Sequence, residues 1–510
     1  MKFIPSRLRH FAPLALVLVC AAIAVAAYLQ ALHAPFISDD EAHITTNSKL
    51  IGLHFVELWR LMVEPFNVFA EFLPLRELSL WFDIQLFGLN PAAFRLHNIA
   101  LYLLGLPLMY ATTVSLWRYF RPAEAASAPW VAAVVTALFA IHPALVESVV
   151  WIGGRKYILP NLFALLALWL TMQSRREHGF SAPHAAAALF AVVAMMLAKA
   201  SYFPVAAIIA LLWLLFWRDI PAPQRRRTLL LWPLAILLLA AVMVLIFIGH
   251  STKGKMATYF GIEVITRALV VMGGLTRLAV SPENRHFVYP IFDDPWFPGM
   301  VALGALVLTA AMWGGIKLLR RRSLTGFALV AFVLLCLPYL QLIPVVMPSL
   351  VSDRYLSLAA WPVILLLVTL TWRLQPVPRI VLLIVIALPW VYQTIERPRD
   401  WRSYETLVDA DWRAYPGHYL LAFQKIMGEL HSGLYRDAGE TANLIKNPEI
   451  RAIMIMTVQA IYAAYETAAQ TGKPEEAMSK LWNLGLKLQQ PPVETKWKIG
   501  RASCRERVLR

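Results

Sequence analysis

The sequence predicts an all-α protein that crosses a membrane many times, on three observations. Of 510 residues, 59% are hydrophobic and only 15% are charged, far from the balance of a soluble domain. About eleven apolar runs precede Glu396, each close to the roughly 20 residues that a helix needs to cross a bilayer core. Short basic clusters recur in alternate connections between those runs.

The runs lie at approximately 11–32, 94–117, 130–150, 158–174, 184–199, 202–217, 228–249, 299–317, 324–346, 356–372 and 380–395. The first reads as a retained helix rather than a signal peptide, because no small-residue cleavage site follows it and ten more runs come after. A net charge of +16, from 47 basic and 31 acidic residues, would suit a nucleic-acid binder only if it were gathered on one surface. Instead it is dispersed: Lys2, Arg7 and Arg9; Arg118 and Arg121; Arg175 and Arg176; Arg225 to Arg227; Arg320 to Arg322; Arg373 and Arg379. That is the positive-inside pattern, so lipid rather than nucleic acid is the expected partner, with a cytoplasmic N-terminus and, after an odd number of spans, an outward C-terminal segment.

Two outward segments have character of their own. The first loop, 33–93, carries VELWRLMVEPFNVF and RELSLWFDIQLFGL, whose apolar residues recur at helical spacing and suit helices lying on the membrane surface, with Trp59, Trp81, Phe82 and Phe87 as interface anchors. Within the loop 250–298, the stretch 259–282 is apolar yet holds Glu263, Arg267 and Arg277, which predicts an interfacial or re-entrant helix. Residues 1–396 therefore read as the membrane domain and 397–497 as an outward helical domain. In the latter, two segments read as helix, glycine-containing turn, helix, and TGKPEEAM resembles the second-helix start of a tetratricopeptide repeat. The turn glycines Gly433 and Gly472 are 39 residues apart, against the usual repeat of about 34. The three cysteines imply no disulfide framework: Cys20 and Cys336 fall inside helices, and Cys504 lies in residues 498–510, which read as translated sequencing-adapter DNA. The natural chain is accordingly expected to continue past about Trp497.

Ionisable residues beside a bilayer are costly, so those in the outward loops and helix ends are candidates for function. They are Asp39, Asp40, Glu41, His43, His142, Glu147, Arg155, Lys156, Lys199 and Arg354. Acids gather in one loop and cations in several others, the division needed by a site that takes a proton from an acceptor while holding an anionic leaving group. Two adjacent carboxylates raise one another's pKa unless a cation or metal compensates. No glycine-rich phosphate loop is present, which argues against a soluble nucleotide-sugar enzyme.

The phrases around these residues resemble the transmembrane and tetratricopeptide-repeat-containing protein O-mannosyltransferases of the GT-C superfamily. FISDDEAHITTNSKL is similar to that family's first-loop signature, and LWFDIQLFGLNPAAFRLHNIALYLL to its phrase ending in Asn, here Asn98. IHPALVESVVWIGGRKYILPNLFALLAL matches in His142, Pro143, Glu147, Trp151, Arg155 and Lys156; MLAKASYFPV matches in Lys199, and VSDRYLSLAAWP in Asp353, Arg354 and Tyr355. The sequence departs from the family at Leu73, where an arginine is usual although Arg76 lies close by, at Arg95, where a histidine is displaced or lost, and at Tyr157 in place of an acid.

The resemblance implies a GT-C-like bundle, in a bacterial member seated in the inner (plasma) membrane. It would move mannose or another hexose from a polyprenyl-phosphate carrier to an acceptor, protein Ser/Thr or a glycolipid, on the periplasmic side. Asp40 or Asp39 would be the general base, and the twin would orient the acceptor or help hold a divalent cation such as Mg or Mn. Arg155, Lys156, Arg354 and Lys199 would hold the donor phosphate. His142, Glu147, Glu41, His43 and Asn98 would support them, His142 and Glu147 by orienting Arg155 or Lys156. A lipid A or oligosaccharide transferase, a transporter, and a non-catalytic repeat scaffold are the competing readings; the transporter predicts mid-membrane charges, which the sequence lacks.

Overall fold

The computed structural model of the protein describes residues 6–66, 71–176, 179–217, 219, 236–246, 261–281, 285–291, 294–343 and 349–471. The chain divides into two units, Met1–Arg285 with Pro298–Ser403, and His286–Phe297 with Tyr404–Arg510. The described residues are helical or connecting, save a two-residue antiparallel pairing of Arg175–Arg176 with Gly179–Phe180.

The first unit begins with α1 (Ser6–Tyr28). The first loop then folds as a π turn (Glu41–Thr45), α2 (Ser48–Ile51), a 3₁₀ helix (Phe55–Met62) and α3 (Pro74–Phe87). Each start has a local cause: the Asn47 side chain caps α2 by accepting the Leu50 N–H, and Pro74 sits at the first turn of α3, where its missing N–H costs nothing. Ile44, Leu50, Leu53, Leu61, Phe66, Leu80, Trp81, Phe94 and Ile152 give the loop its own apolar core. Trp59, Phe82 and Phe87 are exposed, as interface anchors must be, but Trp81 is not: it is buried, and its Nε1 donates to the Leu53 carbonyl at 2.8 Å.

The bundle continues with α4 (Pro91–Phe120), α5 (Ala128–Ala140), α6 (Leu145–Val150), α7 (Arg155–Ser174), α8 (Ala182–Ala198), α9 (Pro204–Phe216), α10 (Ile236–Ile246), α11 (Ile262–Val280), α12 (Phe297–Arg321), α13 (Leu324–Cys336), α14 (Ala360–Thr371) and α15 (Pro376–Glu396). Each predicted apolar run holds a helix, but among the described residues six stretches rather than eleven are long and apolar enough to span a membrane: Phe11–Ala31, Pro91–Phe120, Pro122–Ala140, Ile152–Ser174, Phe297–Arg321 and Pro376–Arg402. This is a multi-pass membrane protein. The predicted run 130–150 breaks because Pro143 disfavours helical backbone at His142, so α5 stops at Ala140 and α6 starts afresh. Pro338 likewise follows the end of α13 and tightens the chain into a 3₁₀ turn. Parts of the predicted run 228–249 and of the loop 250–298 lie outside the described residues.

Within the predicted interfacial stretch 259–282, Ile262–Val280 form the regular helix α11, with Glu263 and Arg267 paired at 3.0 Å one turn apart. One face of α11 is buried against α12 at backbone contact distance: a Cβ on Gly273 would lie 1.8 Å from the Met300 carbonyl oxygen, and one on Gly304 2.0 Å from that of Leu269. Small residues serve the same close approach elsewhere, as in the buried alanines of α1 (Ala21, Ala24, Ala27) and α5 (Ala132, Ala133, Ala137).

Several helix ends meet at one end of the bundle, where Asp219 accepts from Arg322 (2.6 Å), Arg175 (3.4 Å) and the Tyr119 hydroxyl (3.4 Å). Asn98, a predicted site residue, lies 21 positions before Tyr119 on α4. At about 1.5 Å per residue the two ends are about 30 Å apart, the thickness of a hydrocarbon core.

In the second unit α16 (Tyr404–Ala414), α17 (Tyr419–His431), α18 (Tyr435–Asn443) and α19 (Pro448–Thr471) pack on Ala422, Ile426, Leu430, Ala438, Ala442, Ile445, Met454 and Val458. Gly433 makes the predicted turn between α17 and α18 with φ +75°, a conformation that favours glycine. Residues 286–297, read from sequence as part of the membrane domain, belong here: buried Asp411 accepts the N–H groups of Phe287 (2.9 Å) and Val288 (2.8 Å). The predicted repeat start TGKPEEAM, past Thr471, and the tail 498–510 lie outside the described residues.

Candidate active site

The site is built around the turn from Trp151 to Arg155, between α6 and α7. Gly153 and Gly154 are dictated by contact: a Cβ on Gly154 would lie 2.4 Å from the Ser148 carbonyl oxygen, and one on Gly153 2.7 Å from the Trp151 ring and 3.1 Å from Asp40 Oδ1. Asn98 fastens α4 to the turn, its amide donating to the carbonyls of Trp151 (3.0 Å) and Val149 (3.3 Å) while its oxygen accepts from Arg155 Nε (2.8 Å). Arg155 is fully buried and fully committed. Its guanidinium pairs with Asp83 at 2.5 Å and donates to the Phe94 carbonyl (2.9 Å) and to Ser79 (3.2 Å). A donor phosphate would have to displace an internal carboxylate to reach it, so the predicted phosphate role does not fit its geometry. Arg95, where the family pattern has a histidine, donates to the carbonyls of Val150 (3.0 Å), Ala34 and Pro35 (2.6 Å), and so ties the exit of α1 to the same turn.

The two aspartates differ sharply. Asp40 is wholly buried, and each carboxylate oxygen is occupied by a backbone donor: Gly153 N–H on Oδ1 (2.7 Å) and Ile37 N–H on Oδ2 (3.1 Å). Burial pushes its carboxyl up to about 7, against the pull of those donors and of Arg95. Asp39 is half-buried, and no described residue hydrogen-bonds or pairs with its carboxylate. Ser38, just before it, has φ +58°, a strained backbone conformation at the entry to the pair. Glu41 is exposed; His43 is buried, with a pKa pushed down by burial first and by Arg76 and Lys156 next, so its ring is neutral.

The sign of the Asp40 shift gives a test. A carboxyl raised to about 7 in the fold but near 3.9 when unfolded binds more protons folded than unfolded across that window. Its contribution to stability is therefore present at low pH and lost as pH rises through about 7, by up to about 1.4 kcal/mol per unit. His43 works in the opposite direction, but it is common to wild type and to Asp40→Asn. The stability gap between those two proteins is expected to narrow from pH 5 to pH 8, read from thermal unfolding midpoints in detergent; a constant gap contradicts the shift.

The remaining cations stand nearer the surface. Lys156 Nζ lies 5.5 Å and the Arg354 guanidinium 5.9 Å from the centroid of the Trp151 ring, so one indole faces both charges. Glu147 holds Arg354, accepting from its Nη1 at 2.5 Å and its backbone N–H at 3.2 Å, with Ser352 Oγ at 3.3 Å. Lys199 sits over the Tyr157 ring at 4.4 Å, within electrostatic reach of Lys156, Arg76 and Arg354. Two predicted supports act differently from expectation: Glu147 orients Arg354 rather than Arg155 or Lys156, and His142 orients no cation. Its Nε2 contacts the Ala279 carbonyl at 3.1 Å and its Nδ1 accepts the Ala144 N–H at 3.3 Å, joining α11 to the α5–α6 turn.

Glu71, Arg76 and Asp83 were missed as site residues. Their signal was present, since they are among the few charges in an apolar stretch of the first loop. Among the described residues no three His, Cys, Asp or Glu side chains gather as a metal-ligand set. With both Asp40 oxygens on N–H donors, the predicted Mg or Mn would find Asp39 alone of the pair, so the two aspartates do not fit a divalent cation.

Over 171 residues the chain is 29% identical to protein O-mannosyl-transferase TMTC2 of Mus musculus, covering 32% of this chain and 19% of that protein. The Homo sapiens TMTC2 protein is 28% identical over the same length. The protein O-mannosyl-transferase F38B6.6 of Caenorhabditis elegans is 24% identical over 167 residues, 31% of this chain and 23% of the relative. The matched part thus spans about a fifth of the length of these relatives. No family model matches the chain, and no solved structure matches it.

Proposed function

We propose that the protein is a membrane glycosyltransferase moving a hexose, mannose by its likeness to the O-mannosyl-transferases, from a polyprenyl-phosphate carrier to a protein Ser/Thr hydroxyl on the outer, periplasmic side of the inner membrane. The observation that carries this reading is the meeting of an open carboxylate and several cations around one turn: Asp39 beside Asp40, which Gly153 holds, and Lys156 and Arg354 over Trp151. Asp39 accepts the acceptor's hydroxyl proton as that oxygen bonds to the anomeric carbon. The bond from that carbon to the phosphate oxygen breaks, and the lipid phosphate leaves with the electron pair. The leaving group needs charge rather than a proton, which Lys156 and Lys199 supply directly, while Arg354, paired with Glu147, adds only its field. Asp40, Asn98, Arg95 and Arg155 hold the frame.

Purified protein incubated with a panel of polyprenyl-phosphate sugars and a Ser/Thr-rich peptide is expected to consume one donor and glycosylate the peptide. Consumption with transfer only to lipid A or an oligosaccharide would reassign the acceptor. No consumption across the panel would overturn the transferase reading.

A further inference from the structure

Asp83 is shared between two partners. Its Oδ2 pairs with the Arg155 guanidinium at 2.5 Å, and its Oδ1 lies 2.7 Å from Nδ1 of His97. Asp83 on α3 and Arg155 on α7 are buried, whereas the His97 side chain on α4 is 31% accessible. Nδ1 therefore faces inward, onto a carboxylate oxygen that accepts. In the neutral ring this places the N–H on Nδ1 and the lone pair on Nε2. Arg155 matches the Asp83 charge, so the three groups balance with a neutral imidazole. Nε2 has no hydrogen-bond partner among the described residues, and it is not one of the unpaired polar atoms sealed from solvent. His97 thus presents an acceptor at the protein surface, oriented from behind by a buried carboxylate.

That surface is apolar. On α3, Leu86 and Phe87 stand one turn on from Asp83 and are exposed, as is Phe82. On α4, Ala100 and Leu104 share the face of His97 at i+3 and i+7 and are exposed, with exposed Leu96 beside them. An ionisable group among outward apolar side chains of a membrane protein is costly and marks a candidate site. The charge nearby selects among ligands. Between Asp83 and His97 the sequence holds one cation, Arg95, and it is turned inward onto the carbonyls of Val150, Ala34 and Pro35. A net-anionic headgroup would find no free cation in this segment. A primary ammonium brings three N–H donors and a hydrogen bond strengthened by charge, which a trimethylammonium cannot make.

We infer that His97 is the binding site for the ammonium headgroup of an aminophospholipid, held on Nε2 while the acyl chains lie along the exposed apolar faces of α3 and α4. Phe82 and Phe87, as interface anchors, set this acceptor near the level of lipid headgroups. Asp83 also holds Arg155, whose Nε donates to the Asn98 oxygen at 2.8 Å. A lipid seated on His97 therefore braces the same frame that carries the turn from Trp151 to Arg155.

Native mass spectrometry of the full chain tests this by counting the lipid that stays bound. The protein is released from nanodiscs of phosphatidylcholine mixed in turn with phosphatidylethanolamine, with its N,N-dimethyl form, which keeps one N–H, or with phosphatidylglycerol. Wild type is expected to retain phosphatidylethanolamine about tenfold over phosphatidylcholine, the worth of one hydrogen bond to a charged group, and to prefer the dimethyl form over phosphatidylcholine as well. His97→Leu is expected to lose both preferences. Retention of either N–H-bearing lipid no better than phosphatidylcholine by wild type overturns the inference without any variant. So does a preference that survives in folded His97→Leu. Retention of phosphatidylglycerol equal to or above that of phosphatidylethanolamine also overturns it, since the ligand would then be an anionic or hydroxyl headgroup. None of these readouts involves sugar transfer, so this site and the transferase reading stand or fall separately.

Discussion

Asp39→Asn is expected to lower sugar transfer from a prenyl phosphate by about 10²–10⁴-fold, the usual contribution of a general base, while leaving the unfolding midpoint unchanged. Asp40→Asn is expected to do the reverse in kind. An amide in that pocket can accept the Gly153 or the Ile37 N–H through its one oxygen but not both, and turns an N–H₂ group toward the other donor. That leaves a buried donor unsatisfied, at about 1–3 kcal/mol, and loosens the attachment of the first loop to the turn. Transfer would then fall only in step with the loss of fold. The discriminating measurement is the rate per folded molecule, with folded fraction taken from thermal unfolding in detergent at the assay temperature. Full activity per folded Asp39→Asn molecule would remove Asp39 from the chemistry.

What the sequence made legible follows the range of the forces involved. Apolar runs report burial or lipid contact one residue at a time, so each run holds a helix among its described residues. Their ends depended on single residues, and the break at His142 and Pro143 shows how one proline within an unbroken apolar string resets the chain. The candidate site was legible as a set of residue types, because charges beside a bilayer are few and each needs a reason. Its pairing was not. Glu147 meets Arg354 across 207 positions, Arg155 meets Asp83 across the whole of α4, α5 and α6, and His142 meets a backbone carbonyl 137 positions away. No local spacing encodes such partners, so a committed cation and an available one look alike as letters. The same holds for Asp39 and Asp40, neighbours in sequence of which one is wholly buried on two N–H donors and the other half-buried.

Arg155→Met is the sharpest case of that ambiguity, and its expected result is loss of stability rather than loss of donor affinity. The substitution matches the stem but strips the guanidinium from Asp83, the Phe94 carbonyl, Ser79 and the Asn98 oxygen. Asp83 keeps His97, whose Nδ1 lies 2.7 Å away, but loses its permanent positive partner while remaining buried. Breaking a buried pair by removing one member costs about 3–5 kcal/mol, a large share of what holds a typical domain folded. Arg155→Lys is expected to recover only part of this, since an ammonium cannot meet partners spread around a planar fork. A phosphate-binding arginine would behave otherwise, with an unchanged unfolding midpoint and weakened binding of a prenyl phosphate. The two roles thus separate on one pair of measurements. Lys156→Gln, expected to weaken prenyl phosphate binding with little change in the midpoint, supplies the contrast, because its ammonium holds only a loose contact with Glu71 and the face of Trp151.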